Sequence, residues 1–170
     1  MHGTPIRVEH VGIAVESVPE PESVLQALGC VKVSDEAVLD DGSVPIEEAG
    51  PDARFRWTYY ELGDASRVEL ISPIAEESFL TRYLDANGPG LHHVTLEVAD
   101  IDAVIEALEQ VDVDVVDYET FDDWTEAFVS PANPTGTLFQ LMEFEPSYEA
   151  GRRPRSELYV NGFPVRELDA

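Results

Sequence analysis

The sequence predicts an α+β fold of two tandem βαβββ modules, and three observations carry that expectation. The strand-like segment His10-Val-Gly-Ile-Ala-Val15 returns as His93-Val-Thr-Leu-Glu-Val98. Each copy runs into polar residues and then a helix-like segment, followed by three short strand candidates. The halves also close alike, Arg67-Val-Glu-Leu-Ile71 against Leu138-Phe-Gln-Leu-Met142.

The first strand alternates apolar and polar or small residues, as a half-buried strand does. Ser17 with Glu20 reads as a capping box opening a helix that carries Val24, Leu25 and Leu28 and stops at Gly29. Strands are expected near 31–39, 54–62 and 67–71, with an aperiodic insertion at 43–55 containing Pro45, Gly50 and Pro51. Residues 76–87 form a joining helix with Phe79, Leu80, Tyr83 and Leu84 on one side and Asn87-Gly88 as its stop. In the second half Asp100 caps a helix whose Ile101, Val104, Ile105 and Leu108 share one face. Strands follow near 113–118, 125–129 and 137–143. Beyond 145 the pattern ends, and Asn161-Gly162 signals a hairpin between 157–160 and 163–165, with Pro164 suited to an edge. The expected organisation is therefore a first module at 6–75, a linker helix at 76–90, a second module at 91–145 and an extension at 146–170.

Composition narrows the function. The 170 residues hold 35 Asp plus Glu against 10 Lys plus Arg, a net charge of −25. A hydrophobic content of 44% nevertheless supports a folded core. A surface this negative repels phosphates and anionic lipid, so neither nucleic acid nor a membrane is an expected partner. The acidic residues are spread along the chain and Lys32 is the lone lysine, a pattern resembling proteins of salt-accumulating microbes. Single Cys30 cannot close an intramolecular disulfide and reads as a buried thiol in a reducing compartment. No signal peptide or long apolar span is evident, so the expected location is cytoplasmic.

Strand alternation selects the chemistry-bearing residues. If Val11, Ile13 and Val15 pack on the helices, His10 faces away; by the same rule so do His93, Thr95 and Glu97, then Glu69, then Gln140. Two half-sheets curved towards one another would form one mixed sheet around a cleft holding His10, Glu69, His93 and Gln140. Two imidazoles, a carboxylate and an amide oxygen suit a divalent first-row metal (cobalt, zinc, manganese, nickel or iron) with positions left open. Solvated polar residues on a sheet face would explain any one of them alone. Their matched placement in both repeats favours the metal. His92 should lie on the other face and reads as structural.

With these segments in view, the chain resembles the vicinal oxygen chelate superfamily, which includes glyoxalase I, methylmalonyl-CoA epimerase, extradiol dioxygenases and bleomycin-resistance proteins. Over about residues 6–145 it is most similar to the epimerases. The matching segments are Glu9-His-Val-Gly-Ile-Ala-Val15, Val68-Glu-Leu-Ile-Ser-Pro73, Ser78-Phe-Leu-Thr-Arg-Tyr-Leu84, Gly90-Leu-His-His-Val94, Phe128-Val-Ser-Pro131 and Gly136-Thr-Leu-Phe-Gln-Leu141. The resemblance implies the same four ligands, His10, Glu69, His93 and Gln140, and a homodimer. It also implies a metal-dependent isomerase removing the proton alpha to a chelated carbonyl of a small substrate, such as an acyl-CoA thioester. A glyoxalase I-type lyase and a non-catalytic binding protein of the bleomycin-resistance type are the alternatives.

Two departures matter. Epimerases usually have Glu where this chain has Gln140, and Gln coordinates through oxygen but cannot accept a proton usefully. The family's other base falls on Asp40 of Asp40-Asp41-Gly42, which reads equally as a turn carboxylate. Glu126, in Asp123-Trp124-Thr-Glu126-Ala-Phe128, is a candidate replacement base, with Trp124 able to stack on a substrate or pack beneath it. Arg54, Arg56, Arg82 and the Arg152, Arg153 and Arg155 cluster are the candidate phosphate contacts, and loop 131–136 is a candidate contact for a substrate tail.

Overall fold

The structure, a computed structural model, describes residues 5–37, 55–62, 66–74, 76–121, 124–145, 159–160 and 163–164. Asp40, Asp41, Arg54, Asp123 and the Arg152–Arg155 cluster lie outside the described residues. The elements run β1 (Pro5–Ala14), α1 (Pro19–Ala27), β2 (Val31–Ala37), β3 (Phe55–Glu61), β4 (Arg67–Pro73) and α2 (Phe79–Asn87). They continue β5 (Gly90–Val98), α3 (Ile101–Glu109), β6 (Val115–Thr120), β7 (Trp124–Val129) and β8 (Leu138–Phe144). A short β9 (Tyr159–Val160) and β10 (Phe163–Pro164) pair antiparallel, and the Asn161-Gly162 turn expected between them lies outside the described residues.

Among the described residues one eight-stranded mixed sheet has the order β2-β3-β4-β1-β5-β8-β7-β6. The βαβββ pattern therefore occurs twice. β2–β3, β3–β4, β6–β7 and β7–β8 are antiparallel, whereas β5 and β8, the first and last strands of the second module, pair in parallel. The chain divides into two compact units, Gly12–Leu62 with Arg67–His92, and Met1–Val11 with Gly63–Ser66 and His93–Ala170.

In the first of these units period-2 alternation sends side chains into two separate cores. Val15, Val18, Leu25, Tyr60 and Leu70 form one, with Ile13, Cys30 and Val68 packed against it. Ala14 and Ile71, the neighbours of Val15 and Leu70, belong to the other, with Leu80 and Leu84 of α2 and with Phe55, Trp57, Phe79 and Tyr83 around them. Helix α2 is thus more than a linker, since it covers the face of β4 opposite Leu70. Its start is capped by Ser78, whose hydroxyl accepts from Thr81 N at 3.0 Å, and it stops at Gly88 with φ +73°.

Helix α1 departs from the sequence reading. Its N-cap is Val18 with no side-chain cap, and Pro19 opens it instead of a Ser17 capping box. Val24 and Leu28 are exposed, at 58% and 74%, and Leu25 alone is buried from this helix. A nine-residue helix on one sheet face can bury only a narrow stripe. Cys30 is half-buried beside that core, not fully buried.

In the second unit α3 is capped by Asp100, which accepts from Ala103 N at 2.9 Å. Val98, Ile101, Ala127, Val129 and Leu141 form its core, flanked by Leu96, Val104, Ile105, Leu108 and Phe139. β6 starts two residues later than expected and shifts register between Val116 and Glu119, where Asp117 has φ +54°. No helix among the described residues is long and apolar enough to cross a membrane.

Candidate metal centre

The polar face of the second unit lies opposite the core of α3. His93, Thr95 and Glu97 of β5 alternate with Val94, Leu96 and Val98, and all three polar residues are buried. Parallel pairing of β5 with β8 sets Thr95 beside Gln140, and antiparallel pairing of β7 with β8 sets Phe128 beside Gln140 and Glu126 beside Met142. Glu126 is thereby one diagonal step from Gln140, within reach of its amide.

These placements produce a connected polar cluster. His10 Nε2 lies 3.1 Å from His93 Nε2, their rings edge to face at 85°. Thr95 Oγ1 is 2.8 Å from His10 Nε2 and donates to Gln140 Oε1 at 2.7 Å. Gln140 Nε2 in turn donates to Glu126 Oε2 at 3.0 Å. The amide is therefore held with its nitrogen towards the Glu126 carboxylate and its oxygen towards the Thr95 hydroxyl. On the other side of His10, its Nδ1 is hydrogen-bonded to the carboxylate of Glu9, and both residues are buried. Arg7 Nε donates to Glu97 Oε2 at 2.7 Å, pairing the second buried carboxylate.

Donor chemistry here fits a cation. Thr95 Oγ1 lies within hydrogen-bond distance of both His10 Nε2 and Gln140 Oε1, and its one proton goes to Gln140. Two nitrogens bound to one ion at about 2.1 Å, between right and tetrahedral angles, lie about 3.0–3.4 Å apart. The 3.1 Å separation of the two imidazole nitrogens falls in that interval.

Of the residues selected from sequence, His10, His93 and Gln140 are brought together around Thr95, and Glu126 joins them through Gln140. Glu69 is buried on β4, opposite Tyr59 of β3 and next to Leu70 of the α1 core. Asp40 is outside the described residues. Trp124 stacks on Phe121 with ring centroids 4.9 Å apart. His92 packs edge to face on Tyr83 at 4.6 Å, in keeping with a structural role. Loop 131–136 is a turn organised by Asn133, which donates to the carbonyls of Ser130 and Thr137. The hydrogen bonds of Glu9 and Thr95 to His10 are not anticipated by the sequence pattern. Alternation placed Thr95 on the right face, whereas nothing in the pattern pointed to Glu9, since adjacent strand residues ordinarily face opposite ways.

Two βαβββ modules in one mixed sheet, with a buried histidine on the first strand of each, define a class, that of paired-module vicinal oxygen chelate folds. The chain belongs to the Glyoxalase/Bleomycin resistance protein/Dioxygenase superfamily, whose signature matches residues 9–128. It is 26% identical over 141 residues to the uncharacterized protein YqjC of Bacillus subtilis, covering 81% of this chain and 91% of that one. It is 30% identical over 105 residues to mouse mitochondrial methylmalonyl-CoA epimerase, covering 61% of this chain and about half (52%) of the mouse protein. The crystal structure of methylmalonyl-CoA epimerase from Mycobacterium tuberculosis superposes with a TM-score of 0.67 at 25% identity, covering 86% of this chain and 93% of that one.

Proposed function

We propose that this protein is a metal-dependent isomerase that removes the proton alpha to a substrate carbonyl, and that its substrate is an acyl-CoA thioester of the methylmalonyl type. The observation that carries the reading is the convergence of His10 Nε2 and His93 Nε2 beside a Gln140 oxygen oriented by Thr95 and Glu126. His10 and His93 are each able to offer one ligand atom, and Glu69 is the proposed third ligand. Gln140 is the proposed fourth ligand through Oε1. The similarity to named epimerases supports the choice of substrate.

A divalent ion in this site would supply Lewis-acid polarisation of the carbonyl oxygen. The chain's own residues supply the rest. A carboxylate oxygen of Glu126 is proposed to accept the alpha proton as the C–H bond breaks and its electron pair moves towards the carbonyl oxygen. Asp40, which lies outside the described residues, is proposed as the acid that returns a proton to the alpha carbon. Gln140 cannot exchange protons, so its part is limited to coordination and to holding Glu126 in place through its amide. The proposed assembly is a homodimer in a reducing, cytoplasmic setting, and light scattering in high salt reads the subunit number.

Deuterium incorporation at the alpha carbon of methylmalonyl-CoA in heavy water, followed by proton NMR with cobalt-loaded protein, tests this function. Exchange is expected, and Glu126→Gln should abolish it while leaving cobalt bound. No exchange by the loaded wild-type protein rejects the epimerase reading. Turnover of a thiol adduct of a 2-oxoaldehyde instead would favour the lyase.

A further inference from the structure

We propose that Glu9 is a positioning residue, which fixes the proton of His10 on Nδ1 so that Nε2 is presented, bare, towards His93. This rests on the metal-site reading above, but it concerns a residue outside the four proposed ligands. Glu9 is 1% exposed and its carboxylate is hydrogen-bonded to His10 Nδ1, on the side of the ring away from His93 and Thr95. A carboxylate only accepts hydrogen bonds, so the imidazole nitrogen beside it is the one that carries hydrogen. In a neutral ring the other nitrogen then holds the lone pair. That nitrogen is the one 3.1 Å from His93 Nε2 and 2.8 Å from Thr95 Oγ1. The same contact limits rotation of the ring, because a swing that moved Nε2 away would break the bond at Nδ1. A buried carboxylate is costly unless it is well hydrogen-bonded, and the His10 Nδ1–H bond is what offsets that cost here.

Two readouts test this. Long-range nitrogen–proton NMR of the metal-free protein should show His10 protonated at Nδ1 and bare at Nε2. Glu9→Leu should lose that preference, whereas Glu9→Gln, whose amide oxygen still accepts from Nδ1–H, should keep it. Cobalt titration should give roughly 10–100-fold weaker binding for Glu9→Leu, as for other lost carboxylate partners of ligating histidines. Glu9→Gln should bind closer to wild type. A wild-type His10 protonated at Nε2 overturns the proposal without any variant. So does unchanged cobalt affinity in folded Glu9→Leu, or loss of the Nδ1–H form in Glu9→Gln. If the wild-type protein shows the Nδ1–H form but binds no cobalt, the positioning role stands and the metal reading fails.

Discussion

Thr95 is the node of the polar cluster, and replacing it with valine isolates one hydroxyl. Valine has nearly the same shape, so no cavity opens and the core of α3 on the other face is untouched. Two contacts vanish, at 2.8 Å to His10 Nε2 and 2.7 Å to Gln140 Oε1. Thr95 is fully buried, so water does not replace the hydroxyl. The hydroxyl has one proton, given to Gln140, so at about 1 kcal/mol net for that bond the metal-free protein should lose about 1 kcal/mol of stability. For a chain of this length that corresponds to a fall in Tm of roughly 2–4 °C. Gln140 also loses the contact that aims its oxygen, so cobalt affinity should fall by about tenfold, at the low end for a lost outer-shell partner. Denaturant titration, calorimetry and cobalt binding, all in high salt, measure the three quantities. A stability change under about 0.5 kcal/mol, within the range of an inconsequential surface substitution, would refute the cluster as drawn.

Other predictions concern the frame and the charge. Leu70→Ala, at a position 1% exposed in the α1 core, should cost about 2–5 kcal/mol by denaturant titration; a cost below 1 would contradict that core. Asp100→Ala removes the cap on Ala103 N and should cost about 1 kcal/mol, while Asp100→Asn should recover most of it. With a net charge of −25, thermal stability should rise from 0.1 to 2 M potassium chloride as screening shortens to a few ångströms. A Tm independent of salt would show that self-repulsion is not a significant cost.

Much of this architecture was legible because strands have a period of two. Alternation around His10 and His93 puts Thr95, Glu97 and Gln140 on one face of the second unit, and the structure has Thr95 bonded to Gln140 there. The pattern could not say that this face is buried, since an alternating strand reads the same whether its polar side meets water or other polar groups. Nor could amphipathicity in α2 say which surface Leu80 and Leu84 would cover; that depended on Ala14 and Ile71, distant in sequence. The start of α1 was misread because Ser17 and Glu20 match a capping box, whereas Pro19 sets the helix entry through its fixed φ. In β6 the left-handed Asp117 falls where the pairing register shifts, a conformation that Asp adopts more readily than most residues but does not announce. Glu9 was hidden by the alternation that revealed His10, because their contact joins neighbours that a flat strand would separate.

Bound cobalt per chain tests the central claim most directly. Protein dialysed against cobalt in high salt, freed of loose ions by gel filtration and analysed by mass spectrometry of the metal, should carry one equivalent. His93→Ala should carry less than about one tenth of that, because the site would retain only one imidazole. Wild-type protein with less than a tenth of an equivalent, or His93→Ala with as much as wild type, would contradict a metal centre built on His10 and His93.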